Sequence, residues 1–304
     1  MTRIVFLGTP DAAIPALATL TREFDVGLVL TQPDRPRGRS GTPTAPPIKM
    51  FALDAELTVA QPSTSAELVS AVEATGDFDV GVVVAYGRIL RPEFLARPTS
   101  GFLNLHFSLL PRWRGAAPVQ RALMAGDTMS GVTVIKIDEG LDTGPVLTAQ
   151  AVDILPDENG GELTGRLADL GARLIVRVLP GYLDGSVVPV DQTEEGTTYA
   201  DKISIDDRMV ATSPSVTDFV NRVRALAPSP AATVEIDGQT HKILEARRHH
   251  HVPVAGTWVV VDSVPVLGVG GGGVELVSLQ PSGKTARSGA DWVRGRRREA
   301  GVVS

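Results

Sequence analysis

Asn104 and His106 stand two residues apart in the run from Gly101 to Pro118, GFLNLHFSLLPRWRGAAP. On an extended segment that spacing projects both side chains from one face. No histidine precedes His106, and the next is His241. A lone imidazole beside an amide, at the end of a strand, points to acyl chemistry at an oxyanion rather than to a metal site. If an amine attacks an acyl carbonyl here, the tetrahedral intermediate carries a negative oxygen. A protonated imidazole and the Asn104 amide can both donate to it, each such donor worth about 3 kcal/mol. The amine must also lose a proton, to a base or to a base-held water. Asp142, in the loop Asp138-Glu-Gly-Leu-Asp142-Thr-Gly-Pro145, is the candidate. It reads equally well as a turn aspartate, since Asp-Thr-Gly-Pro is good turn chemistry. His106 reads equally well as a core histidine, and Asn104 reads more readily as a packed polar residue of the strand.

Such side chains need rigid elements beneath them. Residues 3–7 (RIVFL) predict a buried strand ending in the turn Gly8-Thr9-Pro10, then a helix as far as Arg22 and a strand at 25–30. Residues 32–47 hold five prolines and are expected to be irregular. A helix is expected at 64–75, strands at 78–85 and 102–106, and a helix from Pro118, which suits a first turn. Strands follow at 131–137 and 145–152, then an amphipathic helix at 161–179. Strand alternating with helix predicts an α/β fold: a doubly wound, mostly parallel, Rossmann-like sheet with its ligand crevice beyond the carboxyl ends of the strands. The expected division is a catalytic domain over 1–182, a polar linker over 183–205 and a last domain over 206–304. That last domain has a helix at 215–226 and short strands at 232–236, 241–245, 257–261, 264–269 and 273–279, the pattern of a small β-barrel or sandwich.

Bulk composition narrows the class. Hydrophobic residues make up 43% and charged residues 21% of 304, as in ordinary globular proteins. There are no cysteines, so disulfides, thiol nucleophiles and cysteine–zinc sites are excluded. The start lacks the pattern of a signal peptide, and no apolar run approaches the ~18 residues of a membrane span. A cytoplasmic protein is expected. Net charge is −6, yet Arg35, Arg37 and Arg39 form one basic cluster, and Lys284, Arg287, Arg294, Arg296, Arg297 and Arg298 form another. Local fields of this kind can steer an anionic polymer.

Three motifs are rejected. Gly268 to Gly273 satisfies G-x-G-x-x-G, but VELVSLQ after it reads as a strand, so a hairpin loop is expected. Gly283-Lys284-Thr285 lacks the first P-loop glycine, with Ser278 in its place. His249, His250 and His251 are adjacent and cannot readily wrap one ion, so no metal site is expected.

The stretch from Asn104 to Gln120 resembles the signature of formyltransferases that use 10-formyltetrahydrofolate. Gly8-Thr9-Pro10, Thr31-Gln-Pro-Asp-Arg-Pro36, Val84-Ala-Tyr-Gly87 and the Asp138–Pro145 loop extend the likeness. With Arg222-Val-Arg-Ala-Leu226 and Ala290-Asp-Trp-Val-Arg-Gly295, the chain is similar to the branch acting on methionyl-tRNA. The resemblance implies formyl transfer to the α-amine of methionyl initiator tRNA, for translation initiation. It assigns the catalytic trio to Asn104, His106 and Asp142. Folate binding falls to Val84, Ala85, Tyr86, Gly87, Ile89, Leu90, Ser108, Leu109, Leu110 and Pro111. tRNA binding falls to Arg35, Arg37, Arg39, Lys284, Arg287, Arg294 and Arg296. It also implies an OB-like last domain, a monomer and no metal.

Within the same chemistry, a sugar-nucleotide amine is the alternative acceptor, since such relatives share the NLHxSLLP core. A non-catalytic RNA-binding module is the alternative from another class. The trio argues against the module, and the arginine loop and basic tail argue against the sugar. Arg39 falls where the family has a loop arginine important for tRNA, although the lysines often found after it are missing here. Arg39→Ala is expected to lower turnover at limiting charged tRNA; normal turnover there would remove the loop from tRNA recognition.

Overall fold

The computed structural model describes residues 1–36, 41–296 and 298–303. Its contacts divide it into two compact units. One comprises residues 1–116, 130–152 and 164–200; the other comprises 117–129, 153–163 and 201–304. The helices, in chain order, are α1 (Ile14–Glu23), α2 (Pro47–Asp54), α3 (Ser65–Thr75), α4 (Pro92–Leu95), α5 (Pro118–Ala125), α6 (Gly160–Leu183), α7 (Ile205–Arg208), α8 (Val216–Leu226) and α9 (Gly289–Arg294).

The first unit carries β1 (Arg3–Gly8), β2 (Asp25–Leu30), β3 (Arg35–Pro36), β4 (Pro43–Thr44), β5 (Val59–Ala60), β6 (Val80–Val84), β7 (Phe102–His106), β8 (Met129–Lys136) and β9 (Val146–Asp153). Its sheet runs β5-β2-β1-β6-β7-β8-β9. The pairs from β5 to β7 are parallel, and β8 is antiparallel to β7. The chain moves outward from β1 to β2 and β5, then returns to β6 on the other flank of β1. That reversal opens a crevice beyond the ends of β1 and β6. Thr9 Oγ1 and Gln32 Nε2 close its floor by donating to the Tyr86 carbonyl at 2.9 and 3.3 Å.

All of β6 (VGVVV) is buried, which is why the segment is apolar without alternation. Gly81 is required there, because a Cβ would lie 2.0 Å from the Phe102 ring. Val5, Leu7, Leu28, Leu30, Phe78, Phe94 and Phe102 pack into one core, each fully buried side chain worth about 1.5–3 kcal/mol. Thr64 caps α3 by accepting from the Glu67 amide, and the Glu67 carboxylate accepts from the Ser63 amide. Two segments differ from their sequence reading. Within 32–47, Arg35–Pro36 pairs with Pro43–Thr44; a ladder in which proline faces proline leaves no periodicity to read. Residues 183–200, read as linker, lie in the first unit, where Val190 and Val146 exchange backbone hydrogen bonds of 2.7 and 2.9 Å.

The second unit carries β10 (Ala232–Ile236), β11 (Gln239–His249), β12 (Thr257–Val261), β13 (Val264–Val269), β14 (Gly272–Pro281), β15 (Arg287–Ser288) and β16 (Ala300–Val302). The order β10-β11-β14-β13-β12-β16 is antiparallel, and an Ile236–Val303 bridge joins its two ends into a barrel. The glycine run of 268–273 is the β13–β14 hairpin, its tip at Gly270 (φ 50°) and Gly271 (φ 79°). Phe219, Ile243, Trp258, Leu267, Leu276 and Trp292 form the core. Arg121 holds Asp207 with two hydrogen bonds, 2.8 and 2.9 Å, which keep that carboxyl far below the usual range.

His241 is fully buried in this barrel. Its Nδ1 lies 2.8 Å from the Gln239 carbonyl, and its Nε2 accepts from Trp292 Nε1 at 3.1 Å. Only the neutral ring protonated at Nδ1 meets both partners. Burial is the main force pushing its pKa down; the Arg296 charge adds to this, and the Gln239 carbonyl and Asp237 oppose it. The folded-state pKa therefore lies below the unfolded value of about 6.5. Stability from the neutral ring is complete above that unfolded value and is lost as pH falls through the window between the two. Urea unfolding should show a midpoint that drops from pH 7 toward pH 5.5, and His241→Gln should flatten that dependence. Equal slopes for both proteins would reject the assignment.

Candidate active site

The strand period puts Asn104 and His106 on one face of β7, opposite Ile135 and Thr133 of β8. His106 is 5% exposed. Its Nε2 lies 2.8 Å from the Trp113 carbonyl. A carbonyl only accepts, so Nε2 carries a hydrogen and donates it. Nδ1 then faces the Asp142 carboxylate, 3.5 Å from Oδ2. Asn104 Nδ2 approaches Asp142 Oδ1 at 3.4 Å. The two loops that meet β7 are held in unusual backbone: Trp113 has φ 64° and Asp142 has φ 54°. Trp113 is anchored by its amide, which donates to Thr198 Oγ1 at 2.9 Å. Asp142 is anchored by the Gly115 amide, which donates to Oδ2 at 2.8 Å. The carboxylate thus has one firm N–H donor and two longer approaches.

The segments expected to hold folate flank this trio. Val84 and Tyr86 are buried, and burial pushes the Tyr86 phenol up. Ala85 (φ 48°) and Gly87 (φ 81°) are exposed at the end of β6, and Ile89 is 90% exposed. Leu90 is half-buried. A cavity of about 200 Å³ lies beside this segment, lined by Leu68, Val69, Arg88, Ile89, Arg91 and Phe94 among others. Ser108 is buried, with its hydroxyl donated to the Arg112 carbonyl at 2.6 Å, so its side chain shapes the turn. Thr133 Oγ1 accepts from the Leu110 amide and donates to the Ser108 carbonyl, fixing Leu109, Leu110 and Pro111 at the rim.

The basic candidates separate. Arg35 is exposed on β3, and Arg37 and Arg39 lie outside the described residues. Lys284 and Arg294 are exposed, Arg287 is half-buried, and Arg294 pairs with Asp291. Arg296 has different surroundings. Its guanidinium pairs with Asp237 and lies 4.0 Å from the centre of the Trp292 ring, so it braces the barrel. Asp237 is held below the usual carboxylate range by the Val302 amide, Trp258 and Arg296, against the opposing effect of burial. Among the described residues no group of three or more His, Asp or Glu is placed to hold a metal ion, and no helix is long and apolar enough to cross a membrane.

Sequence reading missed Gln192 and Gly115. Gln192 Nε2 lies 2.8 Å from both the Asp142 and Gly144 carbonyls. It sits in a polar stretch without period, and nothing in its neighbours marks it.

Two family models match the chain: the formyl transferase model over residues 2–179 and the formyl transferase C-terminal domain model over 202–297. The methionyl-tRNA formyltransferase of Halorhodospira halophila is 44% identical over 97% of this chain and 96% of that protein. Among solved structures, an N-formyltransferase of Helicobacter canadensis, in complex with folinic acid and dTDP-3-aminofucose, has a TM-score of 0.70 at 16% identity, covering 92% of this chain and all (100%) of that one. A methionyl-tRNA formyltransferase of Clostridium thermocellum has a TM-score of 0.58 at 15% identity, covering 84% and 97%. These two likenesses speak to fold alone.

Gly144 leaves no room for a side chain, since a Cβ would lie 1.8 Å from the Lys136 carbonyl oxygen. Gly144→Ala must therefore displace the loop that carries Asp142. Turnover should fall by about a hundredfold, the usual consequence of an ångström-scale misplacement, while circular dichroism still reports a folded protein. Full activity in this variant would show that the loop does not position Asp142.

Proposed function

The chain belongs to the formyl transferase family, and from that membership we propose that it transfers the formyl group of 10-formyltetrahydrofolate to the α-amine of methionyl initiator tRNA. The observation that carries this reading is the convergence of Asn104, His106 and Asp142 at the carboxyl end of β7. The tRNA acceptor is favoured over a sugar amine by identity to a methionyl-tRNA formyltransferase along nearly the whole chain. The arginine loop and basic tail support the same choice.

Folate supplies the formyl carbon as an electrophile and departs as tetrahydrofolate. The exposed backbone of Ala85 and Gly87 fits a flat heterocycle with many hydrogen-bonding groups, because Gly87 leaves open space where a Cβ would be. Ile89 offers an apolar wall. As the amine attacks, negative charge builds on the formyl oxygen, and the Asn104 amide turns from its long approach to Asp142 to donate to it. With Nε2 committed to Trp113, Nδ1 is the ring atom that serves the crevice. Asp142 takes the proton released by the amine, directly or through a water, and steadies the ring beside it. The C–N bond to the amine forms first; collapse of the tetrahedral intermediate then breaks the C–N bond to folate, and the departing folate nitrogen takes up the proton that Asp142 received.

We assign this chemistry to the first unit. Arg35, Arg37 and Arg39, with Lys284, Arg287 and Arg294 of the barrel, bind the tRNA by phosphate pairing, which supplies affinity and salt dependence rather than sequence choice. The protein works in the cytoplasm as a monomer and needs no metal. His106→Ala and Asp142→Ala should each lower formyl transfer by at least about a hundredfold, as for lost transition-state groups, without unfolding. Unchanged transfer by both would end the catalytic assignment. Offered charged initiator tRNA and a sugar-nucleotide amine side by side, the enzyme should formylate the tRNA; activity on the sugar alone would overturn the acceptor.

A further inference from the structure

Asp142 is presented to the crevice from a left-handed backbone position that a non-glycine residue does not hold without support. The Gly115 amide fixes the carboxylate. Something else must fix the main chain behind it. The Gln192 side-chain amide is there, with Nε2 2.8 Å from the Asp142 carbonyl and 2.8 Å from the Gly144 carbonyl. Its Oε1 accepts from Arg114 Nε at 3.1 Å. The amide orientation is therefore unambiguous: reversing it would set an acceptor against two carbonyls and a donor against a guanidinium.

Arg114 is itself buried, 2% exposed, and its guanidinium meets Glu194 at 3.3 Å. Its backbone exchanges hydrogen bonds with Thr198 and Ala200 at 2.9 and 2.7 Å. Arg114 directly follows Trp113, whose carbonyl takes the His106 hydrogen. Residues 192–200 therefore touch both supports of the site. Thr198 holds the Trp113 side, on which the imidazole depends. Gln192 holds the Asp142 loop and ties it to Arg114.

We infer that Gln192 is a positioning residue for formyl transfer, its two amide hydrogens clamping the main chain of Asp142 and Gly144 so that the carboxylate stays in register with His106 and Asn104. The inference rests on the catalytic reading of Asp142. It needs one side chain that is a double donor on one side and an acceptor on the other, and glutamine is the residue of that size that is both.

The test is steady-state formyl transfer by the full-length enzyme with 10-formyltetrahydrofolate and charged initiator tRNA. Gln192→Ala should lower kcat by about ten- to a hundredfold, the range expected for misplacing one catalytic group, while KM for each substrate stays within about twofold of wild type, the pattern of an interaction that acts on the transition state. Gln192→Glu keeps the length and the Arg114 contact but removes both amide hydrogens. It should lose kcat as the alanine variant does and should remain folded if Gln192→Ala does not. In the Asp142→Ala background either change should cost nothing more, because the residue acts through Asp142. Wild-type kcat in either single variant, or an equal further loss in the Asp142→Ala background, would overturn the inference. A fully active Asp142→Ala enzyme would instead overturn the catalytic reading itself.

Discussion

An imidazole sunk to 5% exposure cannot leave a ring nitrogen unanswered. That constraint organises the first unit. His106 needs an acceptor for Nε2, and the Trp113 carbonyl supplies it from a left-handed residue. Its Nδ1 faces the Asp142 carboxylate at 3.5 Å, set there by a second left-handed residue. Neither loop conformation is favourable by itself, so each is fastened from outside: Trp113 through Thr198, Asp142 through Gly115 and Gln192. The sheet contributes what loops cannot. β7 sets the Asn104–His106 spacing, and β8, antiparallel beside it, ends next to Phe102 and Leu103, so Asp142 reaches His106 from a loop that starts at the other end of β7.

The parts of the molecule legible in the sequence are those governed by one-dimensional patterns. The apolar run at β6, the i, i+2 pair on β7 and the short barrel strands follow from side-chain period. The order of alternating elements was enough to place the crevice at the strand ends. Gln192 was invisible for a physical reason. Its partners are main-chain carbonyls of Asp142 and Gly144, which carry no residue-type signal, and it lies about fifty positions away in the chain (residue 192 against 142). The same reason hides Gly115, whose contribution is an amide hydrogen. Gln192 also lies in a stretch where polar composition reads as connection rather than as structure.

Charge count alone says nothing of what each cation touches. Arg296 sits in the most basic stretch of the sequence, yet the barrel uses it as a brace between Asp237 and Trp292. Trp258 Nε1 also reaches Asp237, so one carboxylate gathers an indole, a guanidinium and the Val302 amide. That cluster stitches the β10–β11 turn to β16 where the barrel closes. A basic tail therefore serves two ends at once: some of its cations face solvent, where they can meet phosphate, and one is spent inside.

Asn104, His106, Asp142 and Gln192 show how the site separates stiffness from reactivity. Contacts that hold the backbone are short: 2.8 Å at both Gln192 bonds and 2.8 Å at the Gly115 amide. Contacts among the reacting groups are long: 3.4 Å from Asn104 and 3.5 Å from His106 to the carboxylate. Short bonds fix where each group stands, and long ones leave its hydrogen-bonding capacity uncommitted. A transition state gains most from donors already in place but not already satisfied. Had Asn104 and His106 been bonded to Asp142 at ordinary lengths, a developing oxyanion would have to break those bonds before gaining its own, and part of the stabilisation would be lost to the exchange.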